Sequence, residues 1–261
     1  MSLRDRAALL GEGVPDALVV PGRAPRVLAF HGFTGTPQEV ALVVDAAREL
    51  ELGAEAPLLP GHGHSALELA RSRFSDWLSA AEQHYLRLAA DGPVIVAGLS
   101  MGAVLAFELA IRHPSTTLGV VALANAVWLG SPWPTLPLKL IEHLRLPDFA
   151  LAKSGPDLGD REQRAVHLTH STQPIRAAIS LIRGGEAVAE RLHQVHAPTL
   201  LLHGALDRVA PVQNAYRVAV RLGTVHKRTV VFERSHHILT RDVERAAVRA
   251  ELLRFLSERA R

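Results

Sequence analysis

Val94-Ile-Val-Ala-Gly98-Leu-Ser100-Met-Gly102 is an apolar strand that runs straight into Gly-x-Ser-x-Gly, after which Ala103 to Arg112 continues as a helical pattern. A serine on so sharp a strand-to-helix turn has strained backbone angles, and only small residues two before and two after it avoid collision. Ser100 Oγ is thereby expected to stand clear of the sheet edge. The backbone N–H of Met101, at the helix start, is placed where it can stabilise an oxyanion.

Outward from this turn, short apolar runs alternate with longer amphipathic stretches, the pattern of a mostly parallel sheet with helices on both faces. The patterns predict strands at Arg26 to Phe30, Ala54 to Leu59, Pro93 to Ala97, Leu118 to Leu123, Thr199 to His203 and Arg228 to Phe232. Helices are predicted at 37 to 51, 74 to 90, 101 to 113, 211 to 222 and 240 to 259. The first opens on Thr36-Pro37-Gln38-Glu39, which reads as a capping box with proline at the first helical position. Between Leu123 and Thr199 the rhythm breaks, and Ser131-Pro-Trp-Pro-Thr-Leu-Pro137 cannot be a long regular element. Residues 128 to 193 therefore read as an inserted, mainly helical cap on a core formed by 1 to 127 and 194 to 261.

Composition narrows the function classes. The chain has 261 residues, enough for one α/β domain with an insertion, and its 48% hydrophobic and 21% charged residues are ordinary for a globular enzyme. Its net charge is only +3, and of 29 basic residues three are lysines (Lys139, Lys153, Lys227), the arginines being mixed with acids. No basic block points to nucleic acid. The absence of cysteine removes disulfides, thiolate catalysis and Cys-ligated zinc. Met1 to Leu10 lacks the apolar core of a signal peptide, and no later run approaches the roughly 18 apolar residues of a membrane span, so a cytoplasmic location is expected. Neither GxGxxG nor GxxxxGK[ST] occurs, which leaves no nucleotide cofactor to expect. His62 and His64 in Gly61-His-Gly-His-Ser65 have metal-like spacing but no further clustered ligands, so no metal is expected either.

A serine hydroxyl at neutral pH needs a histidine as general base and a carboxylate to orient it, in the chain order serine, acid, histidine for this strand-and-elbow arrangement. The late strand and loop Thr199-Leu-Leu-Leu-His-Gly-Ala-Leu-Asp207 supply the acid. Ala124-Asn125-Ala126, at the other plausible strand end, has no carboxylate. After the strand ending at Phe232, Glu233-Arg-Ser235-His236-His237 places two histidines before the last helix, and one of them is the expected base. Of the fourteen histidines, those at 84, 113, 143, 167, 170, 193, 196 and 226 read as solvated or packing positions. His31-Gly32-Phe33-Thr34-Gly35, after the first strand, offers the Phe33 N–H as a second oxyanion donor.

These residues resemble the α/β-hydrolase superfamily, and within it the small bacterial carboxylesterases related to monoacylglycerol lipases. The resemblance runs through His31-Gly-Phe-Thr-Gly35, Leu59-Pro-Gly-His-Gly63, Asp76-Trp77, Gly98-Leu-Ser-Met-Gly102, Asp207 and Ser235-His-His237. It implies His237 as the base, with His236 standing where these proteins usually carry glycine. It also implies oxyanion amides at Phe33 and Met101, and ester hydrolysis through an acyl-enzyme on Ser100 without metal. The expected substrate is a small carboxylic ester of short to medium acyl chain, monoacylglycerols included, with Phe33 and Trp128 lining the acyl pocket. A thioesterase, a lactonase or a carbon–carbon bond hydrolase would use the same triad, and a ligand receptor could reuse the scaffold. Oligomeric state is left open.

Overall fold

A computed structural model describes residues 16–129 and 149–261. Seven strands form one sheet: β1 (Ala17–Val20), β2 (Arg23–Phe30), β3 (Leu52–Pro57), β4 (Val94–Leu99), β5 (Thr117–Leu123), β8 (Thr199–Gly204) and β9 (Lys227–Phe232). Their order is β1-β3-β2-β4-β5-β8-β9, with β1 antiparallel to β3 and every other pair parallel. After β3 the chain crosses to the other side of β2 to form β4. The loops leaving β2 and β4 therefore diverge at the carboxyl edge, where parallel sheets place their sites.

The unbroken apolar spelling of the central strands follows from burial on both faces. Leu28 and Phe30 of β2, Val94 and Val96 of β4, Val120 and Ala122 of β5 and Leu201 of β8 face one core. Alternate residues, Val27, Ala29, Ile95, Ala97, Leu99, Val121, Leu123, Leu200 and Leu202, face the other. The first core is closed by α3 (Phe74–Ala89), α4 (Met101–Arg112), α6 (Ile175–Arg191) and α7 (Gln213–Arg221). The second is closed by α1 (Ala41–Glu49) and α8 (Arg245–Arg259). Each fully buried Leu or Ile contributes about 1.5–3 kcal/mol, so these two sandwiched layers supply most of the driving force.

The sequence expectations hold for the six parallel strands, and local chemistry explains the differences. Thr36 and Glu39 do not form a capping box: Pro37–Val40 is a 3-10 turn without a side-chain cap, and α1 starts only at Ala41. Glu39 is instead drawn inward, where its carboxylate accepts from Gly32 N at 2.8 Å. A short helix, α2 (Ala66–Arg71), is capped by Ser65 Oγ accepting from Glu68 N. The last helix starts at Arg245 rather than 240. The acceptors of Asp242 are used by His236 N of the preceding loop and by Gly159 N of the segment after β6.

In the region read as a cap, residues 130–148, with Trp133, Leu136, Leu138, His143 and the proline-rich run, lie outside the described residues. The rest forms a hairpin of β6 (Ala150–Ala152) with β7 (Thr172–Pro174), the short α5 (Arg161–Ala165), and α6. Helix α6 is not a surface excursion. Its Ala177, Leu181 and Val188 enter the first core, and Arg191 reaches across to the buried Glu108 of α4 at 2.5 Å. Glu108 also accepts from Arg112 Nε at 2.8 Å, so both of its oxygens are paired.

Gly102 sits where this frame admits no side chain. A Cβ on Gly102 would lie 2.1 Å from the Phe30 carbonyl oxygen, where the first turn of α4 crosses β2. Gly102→Ala is expected to cost about 1–3 kcal/mol or more through overpacking against fixed backbone, lowering the thermal midpoint by several degrees. A melting curve followed by circular dichroism checks this.

Candidate active site

The turn after β4 holds Ser100 at φ 59° and ψ −113°, left-handed for a residue with a side chain. Its N–H donates to the Leu123 carbonyl at 2.9 Å, which anchors the turn to β5. A Cβ on Gly98 would meet the carbonyl carbon of Gly102 at 2.0 Å, so the glycines two before and two after the serine answer to direct backbone contact. Met101 is the first residue of α4, and its N–H has no carbonyl a turn behind it within the helix.

Asp207 leaves the end of β8 with its carboxylate fully buried and bonded on both oxygens. Oδ1 accepts from Val209 N and Ala210 N, each at 2.8 Å, while Oδ2 lies 2.8 Å from His237 Nδ1 and 3.0 Å from His203 Nε2. Because His203 Nε2 also faces the Ala210 carbonyl at 3.1 Å, it must carry the proton and donate. Burial alone would raise the Asp207 pKa, but His237 and His203 outweigh it and hold the carboxyl well below the usual range. The reverse holds for His237. Burial opposes its protonation, yet the adjacent Asp207 carboxylate keeps the imidazole above its ordinary 6.5. His236 turns the other way, its Nδ1 lying 3.0 Å from Asp242 Oδ2. Of the two histidines in the last loop, His237 is the one brought to Asp207.

On the other flank, Leu59 N donates to His31 Nε2 at 3.1 Å, so His31 carries its proton on Nδ1 and donates to the Gly32 carbonyl at 2.9 Å. The ring pins the loops after β2 and β3 together. Burial, only partly offset by its contact with Gly32 and by Glu39, lowers its pKa. Glu39 is buried as well. Burial would raise its pKa, but His167, 3.3 Å away, together with His31 and Gly32 N, brings it down to about 2. His62 sits edge-on against His31 at 4.8 Å and Trp77 at 5.6 Å between ring centroids, with Phe33 and His170 just beyond. No group of three or more ligating side chains suited to a metal ion occurs among the described residues.

Ser100 and His237 open into one cavity of about 670 Å³, a volume that includes the open solvent at its mouth. Phe33, Leu129, Ala178, Leu181 and Ile238 line its apolar side, and Glu39, Lys153, His167, Thr169 and Gln173 its polar side. Trp128 departs from expectation. Its ring packs under the Arg217 guanidinium at 3.9 Å and its carbonyl accepts from Asn214 Nδ2, so it faces α7, and its neighbour Leu129 takes the place at the cavity wall. His167 differs from the solvated or packing role read for it, since it faces the Glu39 carboxylate at 3.3 Å, whereas His170 packs against the His62 ring as a buried packing position. His203, four residues before Asp207, was missed. Its position on the strand that delivers the acid, at the spacing of one helical turn, was the only signal for it.

These features define an α/β-hydrolase. The chain belongs to the family described as serine aminopeptidase, S33, which matches residues 23–244. It is similar to the thermostable monoacylglycerol lipase of Bacillus sp. (strain H-257), with 28% identity over 90% of this chain and 91% of that protein. It is also similar to a carboxylesterase of Bacillus subtilis (strain 168), with 24% identity over 94% and 97%. Among solved structures, one described with two metagenome-derived lipolytic enzymes superposes with a TM-score of 0.86 at 25% identity, covering 94% of this chain and 99% of that one. The Paleococcus ferrophilus monoacylglycerol lipase, at 18% identity and a TM-score of 0.82 over 93% and 98%, shares the fold. No helix among the described residues is long and apolar enough to cross a membrane.

The buried histidines set an acid limit to stability. His170 is lowered to about 4, by burial first and the Lys153 charge next. A histidine whose pKa falls on folding binds its proton more readily in the unfolded chain. Stability is therefore full above 6.5 and is lost as pH drops from 6.5 toward 4, by up to about 3 kcal/mol for this one group. His170→Gln is expected to flatten that slope, measured as urea midpoints at pH 7, 6 and 5.

Proposed function

We propose that this protein is a carboxylesterase that works through an acyl-enzyme on Ser100. Ser100 Oγ attacks the ester carbonyl as His237 Nε2 takes its proton. The oxyanion is held by the amides of Phe33 and Met101. The intermediate collapses as His237 returns the proton to the leaving alcohol. Water, deprotonated by the same imidazole, then releases the acid and restores the hydroxyl. Asp207 keeps Nε2 free to act by binding Nδ1. The observation that carries this reading is the 2.8 Å contact of His237 with a fully bonded carboxylate, in the loop facing the cavity that a left-handed Ser100 enters.

Short to medium acyl esters, monoacylglycerols among them, are the substrates we infer. Support comes from the activities of the two Bacillus relatives, each aligned over at least 90% of this chain, and from the apolar side of the cavity. We further read residues 128–193 as the cap over this site, with α6 as the part that belongs equally to the core. An aminopeptidase reading has less support. Such an enzyme needs a carboxylate for the substrate ammonium, and of the two acids that line the cavity Glu39 is taken by Gly32 N and His167, while Asp157 accepts Arg208 N and His237 N on Oδ2. The Lys153 cation in the same wall would repel an amine.

A fluorophosphonate probe is expected to label Ser100. Ser100→Ala should abolish the label and lower kcat on p-nitrophenyl esters by about 10⁴–10⁶. A series from acetate to palmitate should peak in the short to medium range, with amino-acid p-nitroanilides turned over far more slowly. Label retained in Ser100→Ala would place the nucleophile elsewhere.

The two histidines should separate sharply. His237→Ala should cost as much as losing Ser100, and His236→Ala about tenfold through the loop it anchors. Because the base works only when neutral and Asp207 raises its pKa, kcat/KM of the intact enzyme should climb with pH through a limb centred above 6.5. The pH profile of kcat/KM on p-nitrophenyl butyrate checks the position of that limb.

A further inference from the structure

The loop carrying the Phe33 amide is not self-supporting. Thr34, the next residue, has φ 68°, a left-handed angle that costs a β-branched residue of order 1–3 kcal/mol and persists only where the surroundings over-determine it. What surrounds it is the 149–174 segment. Both polar groups of Thr34 are taken up there: its carbonyl accepts from His170 N and from Thr169 Oγ1, each at 3.0 Å, and its hydroxyl accepts from Lys153 Nζ at 2.6 Å. The same ammonium donates to Thr169 Oγ1 at 2.9 Å, closing a small ring of three side chains. On the other side of Phe33, Gly32 N is held by Glu39, whose second oxygen faces His167 of that segment.

The β6–β7 hairpin explains how a lysine reaches this place. Ala152 pairs with Thr172, and Lys153 N continues the ladder to the Ser171 carbonyl at 2.9 Å, which sets the side chain against the turn at 169–170. An aliphatic residue would pack in that wall at less cost than an ammonium. Lys153 has no ion-pair partner among the described residues, and two of its three donors serve hydroxyls.

We propose that Lys153 is a positioning residue that, through Thr34 and Thr169, locks the loop presenting the Phe33 amide, so that the oxyanion site is complete only while the 149–174 segment is docked. The inference rests on the reading of Phe33 N–H as an oxyanion donor. The titratable groups facing the ammonium are Glu39 from the 3-10 turn and His170 from its own segment, with His167 beyond Glu39. Burial lowers the lysine pKa to about 8 against the pull of Glu39, so it is charged at neutral pH and loses its charge just above. Charge-assisted bonds to Thr34 and Thr169 weaken with that loss.

The test uses the intact protein and Lys153→Met. On a short p-nitrophenyl ester, kcat should fall about tenfold with KM changed by less than about twofold, the pattern of support lost only in the transition state. Fluorophosphonate labelling of Ser100 should reach the same endpoint about tenfold more slowly. Wild-type kcat should decline as pH rises through about 8, and Lys153→Met should lack that decline. A loss confined to KM, an unchanged kcat and labelling rate, or an alkaline limb persisting in Lys153→Met would each overturn the proposal. Should Lys153→Met not fold, Thr169→Val decides: a loss of about threefold in kcat at constant KM supports the lock, and an unchanged kcat overturns it. Wild-type protein that never labels at Ser100 would instead remove the reading beneath it, and the proposal with it.

Discussion

The geometry of this molecule turns on one close approach, where the first turn of α4 lies against the end of β2. A Cβ on Gly98 or Gly102 would stand about 2 Å from backbone atoms there, so the two glycines let the helix start directly over the sheet. The strain is concentrated in Ser100, which takes the left-handed angle between them. The consequences are geometric and electrostatic together. The serine is lifted from the sheet edge, the opening amide of α4 is left without a partner inside its helix, and the loop after β2 is brought alongside both. Only a residue whose neighbours add no volume can sit there, which is why the spelling around it is so restricted.

Fixed polar groups do the rest. Asp207 is surrounded by four donors, so its carboxylate stays charged although buried, and the charge has one orientation available. Removing any donor would leave a buried anion short of compensation, a cost larger than the hydrogen bond itself. His203 matters for this reason. It touches no part of the cavity, yet it satisfies the oxygen that also meets His237, and so helps decide that the acid orients the imidazole rather than taking its proton.

The sequence made the elbow, the parallel strands and the acid legible because each has a local signature: small residues around a serine, apolar runs between turns, a carboxylate just after a late strand. What it hid was tertiary. Thr36 and Glu39 have the spacing of a capping box, but Glu39 is worth more as a buried acceptor for Gly32 N and a partner for His167 than as a cap, and no local pattern encodes that exchange. Trp128 looks like a pocket aromatic in the sequence because it opens the apolar, proline-rich insertion. Its ring is claimed by the guanidinium of Arg217, which lies far along the chain. The choice between His236 and His237 likewise depends on which of two carboxylates, Asp242 or Asp207, each ring meets in space.

The segment between β6 and α6 meets both ends of the candidate site. At the β2 loop it bonds Thr34 through Lys153, Thr169 and His170, and Gln38 through Leu168 N. At the loop after β8, Asp157 accepts from Arg208 N; at the last loop it accepts from His237 N while its carbonyl accepts from Ile238 N, and Gly159 N and Asp160 N share Asp242 with His236. His236 thus uses its ring to tie the last loop to the acceptor that also ties the segment. Because the same stretch of chain holds the residue 33 amide on one side and the His237 backbone on the other, displacing it would loosen both at once. The placement of the two loops is then one conformational variable, and the polar bonds that make it so are spread over several residues of this segment.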